Sequence, residues 1–361
     1  MNNSHNPIFE NLTAWWNHQD IGRALVRAHY PIPGRSNAKK INMNSYWPSP
    51  DGEPDIDGLV QAQVHGVRHG TLNPICEALL ETLSHNYGRR GTPMNMSWYL
   101  GGTVKYTEAS VWIDPFVQDW KNYEVKFDPN NRWVQLSKRL MDAQGKFTNG
   151  RELVWLPDLG DALTCFSLMR GAEQLLLDLI DEPDVISNKI RDFAQAFIAA
   201  HSYFHESYRQ YWPGDASCLI WAPDKTYMCQ CDFSVMLSPD MFRQFVIPEL
   251  DAISRYLKYM VWHLDGYEEV RHLPALLELP YIQAIQIQPG ANRPPASSEV
   301  WMPVCKKCQE AGKSLFVYAN SPEEFEHLAK HLDHAGLMIS CNYILKDEAD
   351  AEWHMSKIAA S

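Results

Sequence analysis

Residue types that bind metals stand at two places in the second half of the chain. The segment His263-Leu264-Asp265-Gly266 places a histidine and an aspartate two residues apart, and Cys341 follows in a later apolar segment. On a strand, residues i and i+2 point to the same side, so His263 and Asp265 can face one site. Imidazole nitrogen, carboxylate oxygen and thiolate sulfur are the ligand types of catalytic zinc sites. These residues predict a zinc site of His263, Asp265 and Cys341. The alternative is a structural His–Asp pair with Cys341 in the core.

Three aspartates are candidates for acid–base chemistry. Asp158 and Asp161 flank Gly160 where one apolar segment ends, and Asp232 lies where another ends. A carboxyl group placed at a strand end can exchange a proton with a bound substrate. Aspartates at such turns also form Asx turns and cap helices, and that structural interpretation stays open for all three.

Two glutamines and two tryptophans are candidates for substrate binding. Gln286 and Gln288 alternate with apolar residues in the segment IQAIQIQPG, and amides inside an apolar strand need hydrogen-bond partners. Trp155 and Trp262 could provide a flat surface for a sugar, aryl or corrinoid ring. Tryptophan is equally common in a protein core, so the core remains the alternative for both.

The elements that must position these residues follow a regular alternation from about residue 152 onward. Apolar strands alternate with amphipathic helices, which predicts a parallel sheet with right-handed crossovers. Strands are predicted at 152–160, 218–221, 258–266, 282–290, 314–320 and 336–344, and helices at 163–180, at 181–211, after the N-cap Ser238 and after the N-cap Ser321.

The polar candidates recur at the ends of several of these strands. In a (β/α)8 TIM barrel the active site lies at the carboxyl ends of the strands, whereas a doubly wound sheet concentrates its site at one switch point. The pattern therefore predicts one α/β TIM-barrel domain over 1–361. Its first part, 1–150, is expected to be an irregular, partly helical elaboration with the first strands, including a helix over 72–88.

Composition excludes several classes of function. The chain has 361 residues, with 32 Lys and Arg against 44 Asp and Glu, so its formal net charge is −12. This balance argues against nucleic-acid binding, and 13 Trp, 16 Tyr and 13 Phe argue against disorder. No signal peptide is evident, and no apolar run reaches the roughly 18 residues of a membrane helix. We expect a cytoplasmic protein with no membrane partner, whose eight cysteines are reduced.

The chain from residue 150 onward resembles the uroporphyrinogen decarboxylase superfamily. The resemblance rests on the segments DLGDALTCFSLMRGAEQLLLDLIDEPDVI, CDFSVMLSPDMFRQFVIPEL, HLDG, LPYIQAIQIQPG and AGLMISC. It implies a distorted TIM barrel. The true decarboxylases carry an early Met-Arg-Gln-Ala-Gly-Arg run that binds substrate carboxylates, and this chain has none. It therefore resembles more closely the cobalamin-linked zinc methyltransferase branch.

That branch has a His-x-Cys pair on one strand and a distal cysteine. His263 and Cys341 match this pattern, whereas Asp265 replaces the middle cysteine and makes the metal a harder Lewis acid. The resemblance implies zinc-dependent transfer of a methyl group between a corrinoid and a metal-activated acceptor. Because the chain lacks an Asp-x-His-x-x-Gly cobalamin motif, the corrinoid is expected on a separate partner protein.

Two other functions stay open at this point. One is a metal-assisted lyase or hydrolase acting on a small sugar or aryl substrate, with Asp158, Asp161 and Asp232 as acid and base. The other is a non-catalytic binder of a tetrapyrrole or a corrinoid protein. The methyltransferase and the lyase or hydrolase would each bind a small-molecule substrate. The oligomeric state is left open, with a homodimer as one option.

Overall fold

The structure is a computed structural model that describes residues 7–33, 46, 52–68, 72–76, 82–83, 94–106, 111–149, 152–218, 220–290 and 292–358. The α-helices are α1 Pro7–Trp16, α2 Ile56–Arg68, α3 Met96–Tyr99, α4 Arg132–Thr148, α5 Ala162–Arg170, α6 Ala172–Asp181, α7 Pro183–Tyr208, α8 Pro239–Phe245, α9 Ile247–Ser254, α10 Leu273–Leu277, α11 Met302–Glu310, α12 Pro322–His331 and α13 Glu348–Ile358. In these ranges no helix is long and apolar enough to cross a membrane.

The strands are β1 Leu25–Pro31, β2 Leu72–Cys76, β3 Thr82–Leu83, β4 Val104–Tyr106, β5 Val111–Ile113, β6 Leu153–Val154, β7 Asp215–Ser217, β8 Ile220–Ala222, β9 Thr226–Cys229, β10 Tyr259–Asp265, β11 Ala284–Gln288, β12 Ser314–Ala319 and β13 Leu337–Ile344. Seven of them form one sheet in the order β2-β1-β13-β12-β11-β10-β9. Only β2 runs antiparallel to its neighbour, so six strands are parallel. The predicted parallel sheet with crossover helices is confirmed.

Hydrogen bonds outside the ladders extend the strand order beyond β9. The backbone N–H of Thr226 in β9 donates to Asp215 Oδ2 in β7 at 3.3 Å. The N–H of Leu156, just after β6, donates to the Ala216 carbonyl at 2.9 Å, and β6 pairs in parallel with β3. This order is the one that a barrel requires. The described strands form no ladder between β3 and β1, so barrel closure stays a prediction.

The first half of the chain differs from the sequence prediction at one element. The predicted helix over 72–88 is wrong where the structure describes it, because β2 and β3 occupy residues 72–76 and 82–83. The backbone of β2 pairs with β1 over five consecutive residues, from Leu72 with Pro31 to Cys76 with Arg27. Tertiary pairing therefore overrides the helical spacing of the leucines.

Three predicted elements in the second half divide or move. The helix predicted at 163–180 is two helices, because Gly171 adopts a φ of 92° between α5 and α6. The helix after Ser238 also divides, with Val246 between α8 and α9 and Pro248 in the first turn of α9. Of the strand predicted at 218–221, Ile220 and Trp221 lie in β8, which pairs with β7, and the strand that joins the sheet there is β9.

Helix α1 packs at the amino-terminal ends of the strands. The indole of Trp15 donates to the carbonyl of Leu315 at the start of β12 (3.2 Å), and Ser314 Oγ donates to the Trp15 carbonyl (2.6 Å). The indole of Trp16 donates to the Trp221 carbonyl at 2.9 Å. Both tryptophans are buried. The carboxyl ends of the strands, where the candidate residues lie, are at the opposite end of the sheet.

Candidate active site

Asp158 is held by a tyrosine and a glycine N–H just after β6. Its Oδ1 accepts hydrogen bonds from Tyr227 Oη at 2.8 Å and from the Gly160 N–H at 3.2 Å, and that N–H also lies 2.7 Å from Tyr227 Oη. Gly160 has a φ of 82°, and an added Cβ would lie 2.4 Å from Met94 Sδ, so the turn requires glycine. Burial raises the pKa of Asp158, while these two hydrogen bonds lower it. With Oδ1 occupied, a proton bound to Asp158 is expected on Oδ2.

His263 is held by two polar side chains from neighbouring strands. Its ladder partner in β11 is Gln286, whose Oε1 is the acceptor for His263 Nδ1, and Gln286 Nε2 donates to Tyr318 Oη at 2.7 Å. This network assigns the hydrogen to Nδ1 and leaves Nε2 able to accept a proton. Gln286 is buried, and both ends of its amide are hydrogen-bonded. The predicted need of this amide for partners is therefore met.

Carboxyl groups from three strand ends face the same region as His263. Burial raises the pKa of Asp232, the charges of Asp265 and Asp158 raise it further, and the charge of His263 lowers it. His263 also lowers the pKa of Asp158. Asp232 is nevertheless exposed to solvent. We call Asp158, Asp232, His263, Asp265 and Gln286 the strand-end cluster.

Four polar residues around these positions escaped the sequence analysis. Tyr227 and Tyr318 support Asp158 and His263, and Glu269 accepts hydrogen bonds from Ser234 Oγ (3.1 Å) and from the Asp265 N–H (3.2 Å). Burial raises the pKa of Glu269 to about 8. Glu249, on α9, is the fourth. Tyr227 and Tyr318 carry no local signal because their partners lie on distant elements, whereas Glu269 is only four residues from Asp265.

Asp161, predicted as an acid–base residue, caps helix α5. Its Oδ1 accepts a hydrogen bond from the Thr164 N–H at 2.9 Å. Asp161 is buried, and burial raises its pKa to about 7. The structure thus gives Asp161 the helix-capping position that the sequence left as the alternative.

Cys341 is not brought together with His263 and Asp265. The ladder registers align His263 with Met338 of β13, and paired residues of parallel strands share a face. Cys341 is three residues beyond Met338 and therefore on the opposite face, where its thiol contacts the side chain of Tyr343. Within the described ranges, no group of three His, Cys, Asp or Glu side chains is placed to hold a metal ion.

The remaining candidates for substrate binding lie in different surroundings. Trp262 is buried, and its ring packs edge-on against Phe242 of α8 at 5.7 Å, which is a core position. Trp155 is half-buried and packs against the core. Gln288 is half-buried at the end of β11, in register with Asp265 of the strand-end cluster.

Comparison with known proteins gives a likeness in fold. No protein-family model and no curated protein sequence matches the chain. Among solved structures, the chain is similar to a methyltransferase from Methanosarcina mazei, with a TM-score of 0.60 and 12% sequence identity. The match covers 97% of each chain, so it includes the region before residue 150. The chain therefore has the α/β fold of a known methyltransferase.

Proposed function

We propose that the chain is a methyltransferase whose small-molecule substrate binds at the strand-end cluster. The observation that carries this proposal is the position of His263, which Gln286 fixes in one orientation and whose charge lowers the pKa of both Asp158 and Asp232. The cluster lies at the carboxyl ends of parallel strands, where α/β enzymes place their sites. The likeness in fold to a methyltransferase supports the reaction type.

The side chains of the cluster would act on the proton of the methyl acceptor. A thiol or hydroxyl acceptor must lose its proton as its sulfur or oxygen forms the new bond to the methyl carbon, and the bond between that carbon and the donor breaks. In this proposal His263 Nε2 accepts the proton, because Nδ1 is hydrogen-bonded to Gln286. Asp158, whose pKa burial raises, can donate a hydrogen bond from Oδ2 to a polar group of the acceptor.

The methyl donor in this proposal is a corrinoid carried by a separate protein, as the family resemblance implies. Zinc held by His263, Asp265 and Cys341 remains a prediction. His263 and Asp265 share a face and have the right donor atoms, but Cys341 lies on the other face beside Tyr343. The residues as placed do not fit a three-ligand zinc site, and the proton transfers above do not depend on a metal.

A lyase or hydrolase is the second candidate. Asp158 and Asp232 lie close enough for the charge of one to raise the pKa of the other, which is the arrangement of an acid and a base around one substrate. Hydrolysis of aryl glycosides by the wild-type chain, lost in Asp158→Asn and Asp232→Asn, would favour this candidate over methyl transfer.

The proposed function is tested by a screen of methyl transfer. Purified protein is incubated with methylcobalamin and a panel of thiols, phenols and alcohols, and the demethylation of the corrinoid is followed by its absorbance. We expect transfer to at least one acceptor class, lost in His263→Ala. The matched control is His331→Ala, because His331 is an exposed histidine on α12. Demethylation at equal rates in both variants would contradict the proposal.

A further inference from the structure

The edge of β10 that faces β9 loses its strand partner close to the strand-end cluster. The ladder between these strands ends at the pair Trp262 and Cys229, whereas β10 continues to Asp265. The N–H of Gly266 donates to the Gln288 carbonyl of β11 at 2.8 Å. Because consecutive N–H groups of a strand point to opposite edges, the N–H of Asp265 points to the β9 side. It lies past the end of the ladder there and needs another acceptor.

The buried side chain of Glu269 supplies this acceptor and joins β10 to the segment that follows β9. Glu269 is 1% exposed and lies in the short 3₁₀ helix Tyr267–His272. Its Oε2 accepts the Asp265 N–H at 3.2 Å, and its Oε1 accepts the Ser234 hydroxyl at 3.1 Å. Ser234 is also buried and belongs to a 3₁₀ helix that begins at Asp232. One carboxyl group therefore bridges the two strand ends that carry Asp232 and Asp265.

A second side chain of the same 3₁₀ helix binds Ser234. The Nε2 of His272 donates to the Ser234 carbonyl at 2.9 Å, and the ring of His272 stacks on Phe242 of α8 at 4.4 Å and 11°. Burial and the charge of Arg271 lower the pKa of His272, so the ring is neutral with its hydrogen on Nε2. Ser234 is thus held at its hydroxyl by Glu269 and at its carbonyl by His272.

The carboxyl group of Glu269 acts through hydrogen bonds and not through an ion pair. No ion pair among the residues that the structure describes includes Glu269, whereas the adjacent, exposed Glu268 pairs with Arg293 at 2.9 Å. Burial and the charges of Asp232 and Asp265 raise the pKa of Glu269 to about 8, so this group is mostly protonated at neutral pH. Because a hydroxyl both donates and accepts, the contact with the serine persists whichever partner carries the hydrogen.

We propose that Glu269 is a positioning residue of the strand-end cluster, a clamp whose carboxyl group fixes Asp232 and Asp265 relative to one another. Asp265 is clamped through its own N–H, and Asp232 stands two residues before the clamped Ser234. Because Asp265 shares a face of β10 with His263, the clamp also fixes the end of the strand that carries the proposed base. The positioning role rests on the proposed function, whereas the clamp itself is tested without any reaction.

Hydrogen exchange of backbone amides in the full chain, followed residue by residue with NMR, tests the clamp. Glu269→Met keeps the length of the side chain but removes both oxygens, so we expect the Asp265 amide to exchange roughly tenfold faster. Glu269→Gln keeps an acceptor for this amide and an NH2 donor for the serine hydroxyl, so its exchange should match the wild type. The Gly266 amide, which donates to the other edge, is the internal reference, and Glu268→Gln is the control variant.

Kinetics with the best acceptor from the methyl-transfer screen test the positioning role. We expect Glu269→Met to lower kcat by roughly tenfold or more with a smaller change in KM, because misplaced groups affect the transition state more than binding. Glu269→Gln should restore kcat. Equal kcat values in an active wild-type chain and in Glu269→Met would contradict the positioning role. A wild-type chain without methyl transfer would contradict the proposed function, and hydrogen exchange would then decide the clamp alone.

Two exchange results would overturn the clamp. One is an Asp265 amide that stays as protected in Glu269→Met as in the wild type. The other is an equal loss of protection in Glu269→Met and Glu269→Gln, which would show that the acceptor oxygen is not what matters. Should Glu269→Met fail to fold, Ser234→Ala removes only the donor at the other end of the clamp. The amides of Asp232–Met236 should then exchange several-fold faster, and unchanged exchange would contradict the proposal.

Discussion

Tyr227 controls the protonation of Asp158, the carboxyl group that could donate a proton in the strand-end cluster. The tyrosine hydroxyl donates to Asp158 Oδ1 and lowers the pKa that burial raises. Tyr227→Phe removes this donor, so we expect the pKa of Asp158 to rise further. Carbon-13 NMR titration of labelled aspartate carboxyl groups measures the change, with Asp158→Asn identifying the signal. An unchanged or lowered pKa would show that the hydrogen bond does not tune Asp158.

Metal analysis of purified variants can show which of the predicted zinc ligands bind metal. If His263, Asp265 and Cys341 bound zinc together, His263→Ala and Cys341→Ala would both lose it. The contact of Cys341 with Tyr343 on the opposite face predicts a different result. We expect Cys341→Ala to retain the metal content of the wild-type chain, whatever that content is. Equal loss in both variants would show that Cys341 reaches the strand-end cluster.

The sequence predicted some residue contacts and could not predict others. His263 and Asp265 were expected to share a face because the two-residue spacing on a strand dictates it. Gln286 was expected to need partners because it is an amide in an apolar strand. Tyr227 and Tyr318 were missed because their partners lie 69 and 32 residues away in the chain. Such contacts depend on strand register, which spacing within one segment does not reveal.

At the level of elements, the turn between β6 and α5 is the most constrained part of the site. Gly160→Ala would force a Cβ to within 2.4 Å of Met94 Sδ and 2.9 Å of Met94 Cα at a φ of 82°. We expect a loss of about 2–4 kcal/mol in the free energy of unfolding, measured with denaturant. Gly312→Ala is the control, because its φ is 72° but nothing lies within 4 Å. It should cost only about 1 kcal/mol, and equal losses would contradict the steric argument.

Local sequence signals predicted where helices begin better than where they end. The predicted caps Ser238 and Ser321 each accept the expected backbone N–H, because capping depends on neighbours in sequence. Divisions such as the one at Gly171 depend on how each half packs, which the periodicity of a single segment does not show. The segment predicted as a helix at 72–88 is another example, since pairing with β1 makes its first residues, Leu72–Cys76, a strand.

At the scale of the whole molecule, α1 joins distant parts of the fold. Trp16 donates to the Trp221 carbonyl and packs against Tyr259 at 5.2 Å, while Trp15 contacts the start of β12. We expect Trp16→Ala to destabilise the chain by about 3–5 kcal/mol through the cavity it leaves. Trp16→Phe, which keeps most of the ring but loses the hydrogen bond, should cost about 1 kcal/mol. Denaturant unfolding measures both, and a small loss in the alanine variant would show that α1 is not part of the core.

The alternation of strands and helices was enough to predict a parallel α/β fold, and the likeness to a methyltransferase over 97% of the chain agrees with it. The substrate could not be predicted, because it is selected by side chains that only the fold brings together.

The central claim, methyl transfer at the strand-end cluster, is tested most directly by demethylation of methylcobalamin in the presence of the best acceptor from the screen. The account predicts transfer by the wild-type chain and by His331→Ala, a large loss in Gln286→Leu, which frees the His263 ring, and no transfer in His263→Ala. Transfer that survives His263→Ala would contradict it.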